Sequence, residues 1–275
     1  MRTPLSHNVL RYLAIVLAGL VMATPLLFMV SGSLKSAAEI STFPPPLLPE
    51  TPIWQNFVDA WNYLTPRVIL NTFIFSLGIV GLQLLLSLPA AFALAKIPFK
   101  WAAAVVAALV VPLFIPGNLT LIPLFVVTYQ LGWLNTYAGL IIPMAAQCAF
   151  AILLFREFFA GLPAGLIEAA RIDGASWGRV LTSIGLPLAK PALATFCSIS
   201  FLTAWNMYIW PQVIAPNPAN RVINVALAPL AGGENSTISP SVGLAGAVIA
   251  MLPVLIVFIV FQKWYLKGIV GTGLE

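Results

Sequence analysis

Long apolar stretches separated by shorter polar ones dominate the chain. Several of these stretches exceed the ~20 residues that an α-helix needs to cross a bilayer. The pattern predicts an all-α integral membrane protein with about six transmembrane helices. We place the spans at residues 10–32, 68–95, 102–128, 137–155, 191–211 and 242–261.

The third predicted span differs from the others because glycine and proline interrupt it. Proline is tolerated in membrane helices, since neighbouring groups can satisfy the carbonyls that it leaves without a partner. We therefore expect this span to be kinked. The residues concerned are Pro112, Pro116, Gly117 and Pro123.

Composition agrees with a lipid-embedded protein. Hydrophobic residues make up 60% of the 275 residues and charged residues only 8%, whereas a soluble domain carries about 25% charged residues. The net charge of +5 is dispersed, so we expect no nucleic-acid partner. Cys148, Cys197 and the single histidine, His7, do not form a metal-binding set, and no metal site is expected.

The basic residues predict that both termini are cytoplasmic. In that orientation ten of the thirteen lysines and arginines fall in inner segments, and Lys35, Arg67 and Arg221 fall in outer ones. This bias matches the rule that short cytoplasmic loops are positively charged. Residues 156–190 then form the one sizeable cytoplasmic loop. The outer segments are Lys35–Arg67, expected to be a rigid proline-rich connector, and Gln212–Ser241, expected to be irregular.

The acidic residues bear on the energy source. All eight lie outside the middle of the predicted spans, whereas ion-coupled transporters place titratable groups within the bilayer. The sequence also lacks a phosphate-binding loop of the Gly-x-x-x-x-Gly-Lys-Ser/Thr type. We expect neither an enzyme nor a cofactor in this chain. The remaining possible functions are a passive pore and a transport subunit that obtains its energy from another protein.

The cytoplasmic loop predicts two short helices joined by a bend. Gly174 can end the first helix in a left-handed conformation, and Ser176 can cap the second. Pro187 limits the continuation of the second helix towards the next span. An amphipathic helix that lies on the membrane without a partner is the alternative.

The surface of the first loop helix suits close docking of a partner. Ala169 and Ala170 keep it small, so that another backbone could approach. Glu168 and Asp173 offer carboxylates to a partner arginine. These residue types predict a protein contact on this loop.

The spacing of this loop resembles the signature of permease subunits in binding-protein-dependent ABC importers. The seven positions of that signature are Glu168, Ala169, Ala170, Gly174, Ile184, Leu186 and Pro187. Other segments resemble the carbohydrate branch, and within it the smaller permease subunit of maltose-type importers. They are Ser33–Lys35 with Glu39 and Phe43–Pro49, Pro116-Gly117 with Leu121–Leu124, Leu131–Tyr137, Ile167–Gly174 and Trp205-Asn206.

The resemblance implies an assembly and a mechanism. It implies that residues 1–275 form the transmembrane domain of a type I ABC importer, with 156–190 as the coupling loop. The implied partners are a second permease subunit, an ATPase dimer that binds ATP and Mg, and an extracytoplasmic substrate-binding protein. The implied location is a bacterial or archaeal plasma membrane. The final residues, Gly271–Glu275, depart from the basic tail usual in that family.

Solute contacts are expected from amide and aromatic side chains within or near the spans, because sugar hydroxyls both donate and accept hydrogen bonds. The alternative for each is a hydrogen bond between helices. An importer of another solute class, or an ATP-independent secondary transporter, is the competing function. The candidate residues are Asn71, Gln83, Asn118, Gln147, Asn206 and Tyr208.

Overall fold

The computed structural model describes residues 5–231 and 238–270, and side chains within 11–230 and 238–262. Arg2, Glu234 and the tail Gly271–Glu275 lie outside the described residues. The side chains of Lys263 and Lys267, which were counted in the predicted topology, and the side chain of His7 also lie outside them.

All regular elements among the described residues are helical, so the all-α prediction is confirmed. The α-helices are α1 (Leu5–Ser33), α2 (Ala37–Ser41), α3 (Gln55–Lys96), α4 (Ala102–Val110), α5 (Gly117–Gln130), α6 (Tyr137–Ala145), α7 (Ala149–Ala160), α8 (Ala164–Ile172), α9 (Trp177–Val180), α10 (Leu186–Leu188), α11 (Lys190–Trp205), α12 (Ile209–Ile214), α13 (Ile223–Leu227) and α14 (Pro240–Val270). Short 3₁₀ turns occupy Val111–Phe114, Pro218–Asn220 and Ala228–Ala231, and a π turn occupies Leu181–Gly185.

Three single helices are long and apolar enough to cross a bilayer. Their candidate spans are Arg11–Ser33, Gln55–Lys96 and Pro240–Gln262. Three further candidates, if each is counted as one span, are pairs of helices with a bend between them. The pairs are Ala102–Phe114 with Gly117–Gln130, bent by 100°, Tyr137–Ala145 with Ala149–Ala160, bent by 46°, and Trp177–Leu188 with Lys190–Trp205, bent by 78°. The described residues thus provide up to six spans, which agrees with the predicted class.

The 100° bend falls in the third predicted span, where a kink was expected. It lies between Phe114 and Gly117, where Ile115 and Pro116 are both extended. Proline at position 116 pushes the preceding residue out of the helical region. The kink prediction is therefore confirmed, and its cause is local.

Two predicted boundaries differ from the structure. The helix expected from residue 68 begins at Gln55 and is broken at Thr65, where φ is 55° and Pro66 follows. The connector predicted for Lys35–Arg67 therefore contains helical structure. The span expected to reach residue 211 pauses after Trp205, where Asn206 caps α11, and α12 starts at Ile209. Proline at 211 suits the first turn of this new helix.

The chain divides into two compact units, each with its own packing. The first unit comprises Met1–Pro66 and Ala226–Leu252, and the second comprises Arg67–Val225 and Pro253–Glu275.

In the first unit, hydrogen bonds fasten the segment after α1 to the end of that helix. Lys35 is fully buried, donates to the carbonyl of Pro46 and lies 5.1 Å from the ring centroid of Phe28. Glu39 accepts bonds from the backbone N–H groups of Glu50 and Ser36, and these bonds lower the pKa of its carboxyl group. The segment is therefore an ordered strap rather than an open loop.

In the second unit, aromatic side chains fill the core. Phe92 packs edge-on against Phe159 at 5.4 Å, and Phe155 packs edge-on against Phe196 at 5.2 Å. These contacts join α3, α7 and α11. Edge-to-face pairs of this kind stabilise a core beyond the area that they bury.

Close packing at Gly139 gives a stability prediction. A Cβ atom there would lie 2.2 Å from the carbonyl oxygen of Trp133, whereas at Gly81 it would meet no described atom within 4 Å. Overpacking costs about 1–3 kcal/mol, so we expect Gly139→Ala to lower the Tm of the detergent-solubilised protein by about 5 °C. Gly81→Ala should leave the Tm unchanged, and equal Tm values for the two variants would contradict the packing seen here.

Candidate functional site

The bent helix pair predicted after the fourth span is present, and we call residues 164–188 the knuckle. Gly174 has φ of +81°, and the N–H groups of Asp173 and Ala175 donate to the carbonyls of Ala169 and Ala170 at 3.0 Å. Left-handed glycine is the usual end of a helix. Ser176 then accepts a bond from the N–H of Arg179 and caps α9. Both local predictions, at Gly174 and Ser176, are confirmed.

The signature positions fall on two sides of the knuckle. Glu168, Ala169, Gly174 and Pro187 are exposed, as is Asp173, which is outside the signature, and Ala170 is half-buried. The apolar positions Ile184 and Leu186 are half-buried, and Ile184 packs against the aromatic core. The polar and small residues are thus free to contact a partner, while the apolar ones hold the knuckle to the helices behind it.

A cavity of about 350 Å³ opens at the bend of the knuckle. Asp173 and Gly174 line it from the first helix, and Arg179 and Ser183 line it from the second. It therefore offers a carboxylate, a guanidinium and a hydroxyl beside an open backbone. Such a concave polar surface can receive a protruding side chain of a docked protein.

An arginine and a tryptophan brace the bend. The Nη1 atom of Arg171 donates to the carbonyl of Ala175 at 2.7 Å, and its guanidinium lies 4.6 Å from the ring centroid of Trp177. Trp177 in turn lies 6.3 Å from Phe92 of α3. Cation–π and hydrogen bonds together fix the angle between the helices and connect the knuckle to a span.

The sequence analysis did not identify the pair Arg171 and Trp177. Its signal was an aromatic residue directly after the capping Ser176 and an arginine in the last turn of α8. Only the left-handed turn at Gly174 brings these two side chains together.

The second helix of the knuckle includes a π turn at Leu181–Gly185, where the N–H of Leu186 donates to the carbonyl of Leu181. Pro187 follows and has no N–H for the carbonyl of Ser183. A wider turn before a proline avoids the clash that a regular α-helix would suffer. The predicted stop at Pro187 is thus replaced by α10, and a 78° bend leads into α11.

Two of the six candidate solute residues, Gln83 and Gln147, line one cavity of about 200 Å³. The Oε1 atom of Gln83 accepts a hydrogen bond from Ser200 at 2.6 Å. Thr203 also lines the cavity, and methionine, isoleucine and phenylalanine side chains form the remaining wall. Ser200 and Thr203 were not predicted as solute contacts, because a hydroxyl group in an apolar span commonly forms a hydrogen bond between helices.

Asn71 lies elsewhere and is fully engaged by the protein. It is 1% exposed, and its Nδ2 donates to the carbonyls of Ala219 and Arg221 at 3.0 and 3.1 Å. Its Oδ1 accepts a bond from the hydroxyl of Tyr137 at 2.6 Å. These bonds satisfy the donors and the acceptor of one carboxamide, so Asn71 acts as a tie between chain segments.

The three other candidates do not line the cavity. Asn118 is exposed in the first turn of α5. Asn206 is exposed and bonds the carbonyl of Leu202 in its own helix at 2.9 Å. Tyr208 is 41% exposed at the start of α12. The described residues contain no group of three or more His, Cys, Asp or Glu side chains able to hold a metal ion.

Known proteins resemble this chain over most of its length. Residues 83–270 match the family described as binding-protein-dependent transport system inner membrane component. The chain is 29% identical over 279 residues to the sn-glycerol-3-phosphate transport system permease protein UgpE of Rhizobium meliloti, covering 98% of each. It is 34% identical over 243 residues to the UgpE protein of Pectobacterium atrosepticum, covering 85% of each.

A solved structure shares the fold. It is a chain of a bacterial ABC transporter involved in the import of the acidic polysaccharide alginate, with a TM-score of 0.84 and 26% sequence identity. The match covers 96% of this chain and 99% of the other.

The bonds of Asn71 predict a structural role that can be measured. Asn71→Ala leaves the carbonyl of Arg221 and the Tyr137 hydroxyl without this partner, and each such loss costs about 1–3 kcal/mol. The carbonyl of Ala219 keeps its bond from the Nε of Arg67 at 2.9 Å. We expect a Tm at least about 5 °C lower in detergent. Asn118→Ala, at an exposed asparagine, is the control and should keep the parental Tm. A parental Tm for Asn71→Ala would refute this role.

Proposed function

The chain belongs to the family of inner membrane components of binding-protein-dependent transport systems, and from this premise we propose that it conducts a sugar or sugar-derived solute. It is a permease subunit of an ABC importer, a multi-pass inner-membrane protein and not an enzyme. The observation that carries the proposal is the complete seven-position signature on the exposed knuckle. In the proposed assembly this chain forms half of the translocation pathway.

The proposed partners follow from the same premise. A second permease subunit completes the pathway, an extracytoplasmic binding protein delivers the solute, and an ATPase dimer docks on the knuckle. ATP and Mg bind to that dimer, so this chain itself requires no cofactor. We further propose that both termini and the knuckle are cytoplasmic, in keeping with the distribution of the basic residues.

The proposed coupling is mechanical. Closure of the ATPase dimer moves the knuckle, and the spans then change the side to which the pathway opens, as in alternating access elsewhere. Glu168 pairs with an ATPase arginine, and the small Ala169 and Gly174 allow close approach. The contacts from Arg171 through Trp177 to Phe92 hold the knuckle at a fixed angle, so that movement of the knuckle also moves α3.

The chemistry of the cavity supports a polyhydroxylated solute. Its polar lining consists of two glutamines, a serine and a threonine, which donate to and accept from hydroxyl groups without a net charge. Two of the compared proteins are sn-glycerol-3-phosphate transport permeases by name, and the solved structure is of a transporter involved in the import of alginate. We propose that Gln83 and Gln147 contact the hydroxyl groups of a solute of this class.

Substitution of Gly174 tests the coupling. A leucine in the left-handed region costs about 1–2 kcal/mol of local strain and adds bulk at the docking surface. We expect the Gly174→Leu complex to assemble and hydrolyse ATP but to take up solute weakly in proteoliposomes. Gly178→Leu is the matched control, because Gly178 is exposed and outside the left-handed region. Normal uptake by Gly174→Leu would refute the coupling role.

Substitution of the cavity glutamines tests the solute contacts. Each lost hydrogen bond costs about 1 kcal/mol, so Gln83→Leu and Gln147→Leu should each lower maximal uptake about five-fold. The half-saturation concentration should not change, because the external binding protein sets it. Uptake of sn-glycerol-3-phosphate, an amino sugar and a disaccharide is compared, with Asn118→Leu as the control. Parental uptake of every solute in both glutamine variants would remove these residues from the pathway.

A further inference from the structure

A helical segment precedes the second span and was not expected from the sequence. It covers residues 55–64, before the break at Thr65, and we call it the pre-span helix. It belongs to the first unit. The proposed transport mechanism gives this helix no role and does not explain its exposed surface.

One face of the pre-span helix is buried in the first unit. Asn56, Ala60 and Leu64, which recur every four residues, are 8%, 0% and 0% exposed. Ala60 packs in a cluster with Val242 and Ala245 of α14. This face fixes the rotation of the helix about its own axis.

Most of the exposed surface of the pre-span helix, together with Trp54 just before it, divides into two faces of opposite character. Tyr63, which is 37% exposed, lies between the polar and the buried face. Gln55, Asp59 and Asn62 form a polar face, on which the Nε2 of Gln55 donates to Asp59 at 2.8 Å. Trp54, Val58 and Trp61 form an apolar face, and their side chains are 67%, 49% and 46% exposed.

The three faces are evenly spread around the helix. At about 100° per residue, the polar, apolar and buried faces are centred about 100–130° apart. A helix held on one side by protein therefore presents one side suited to water and another suited to an apolar medium.

Hydrogen bonds place this helix beside the end of the first span. The Nδ2 of Asn56 donates to the carbonyls of Ser33, the last residue of α1, and Lys35, at 2.9 and 3.0 Å. The N–H of Ile53 donates to the carbonyl of Leu34 at 2.9 Å. The last residue of a span lies near the boundary between hydrocarbon and water, so the pre-span helix lies near that boundary as well.

We infer that Trp54, Val58 and Trp61 form a membrane anchor that inserts into the headgroup region of the bilayer. Tryptophan is enriched at this depth because its ring is apolar and its N–H can remain hydrated. Separate apolar and polar exposed faces are the feature of helices that rest where lipid meets water. Residues 11–30 of α1 are mostly exposed as well, whereas residues 31–33 at its end are buried.

The occupant of this face is lipid rather than a second protein. Two tryptophans beside the end of a span favour lipid, because tryptophan is enriched where hydrocarbon meets water. The anchor holds the start of α3 at a fixed depth in the bilayer.

Collision accessibility of spin labels tests this inference independently of transport. Cysteines are introduced singly at Trp54, Val58 and Trp61, and at Asp59 and Asn62 as matched controls on the polar face. The labelled protein is the full chain with Cys148→Ser and Cys197→Ala, assembled in a complex whose other subunits contain no cysteine. The complex is placed in nanodiscs of phosphatidylethanolamine and phosphatidylglycerol. Each label is exposed to oxygen, which dissolves in lipid, and to a water-soluble nickel chelate.

We expect the ratio of oxygen to nickel accessibility to be several-fold higher at positions 54, 58 and 61 than at positions 59 and 62. Equal ratios on the two faces would overturn the inference, because the apolar face would then lie in water. Exclusion of both agents from 54, 58 and 61 would also overturn it and would assign the face to a protein partner. Val58→Cys removes little volume, so it reports even where loss of a tryptophan prevents assembly.

Discussion

Lipid cannot form hydrogen bonds with a peptide group, and the architecture of the spans follows from this constraint. Every break in a span exposes N–H and C=O groups that the protein must satisfy itself. Where α11 ends, Asn224 donates to the carbonyl of Trp205 and Asn206 donates to that of Leu202. Before α6, Thr136 caps the N–H of Gly139. These polar side chains therefore satisfy backbone groups that the breaks between helices leave without a partner.

The same constraint places neutral and charged polar groups in different parts of the second unit. Within the second unit, the cavity between the helices is lined by neutral amides and hydroxyls, whereas carboxylates and guanidinium groups gather on the exposed knuckle. Neutral groups suit the passage of a hydroxylated solute, and charged groups suit the docking of a protein. We propose that the motion of the partner ATPase reaches the spans through the knuckle and through the contacts of Arg171, Trp177 and Phe92.

Local signals in the sequence predicted local structure. The kink near Pro116, the left-handed end of α8 at Gly174 and the cap at Ser176 each depend on one or two neighbouring residues, and each is present. Features that depend on distant partners were not predictable. Asn71 bonds a carbonyl 148 residues away, and Ser200 meets Gln83 across 117 residues. The pre-span helix was missed because its three faces have no single apolar period to mark it.

Uptake by the purified complex in sealed proteoliposomes shows whether ATP hydrolysis by partner subunits drives transport through this chain. The vesicles contain the loaded binding protein on one side, and ATP is supplied or withheld on the side of the knuckle, with ionophores present to remove ion gradients. We expect accumulation against a concentration gradient only when ATP is present, and no loss of accumulation on addition of ionophores. Accumulation without ATP, driven by an imposed proton or sodium gradient, would refute ATP-driven transport.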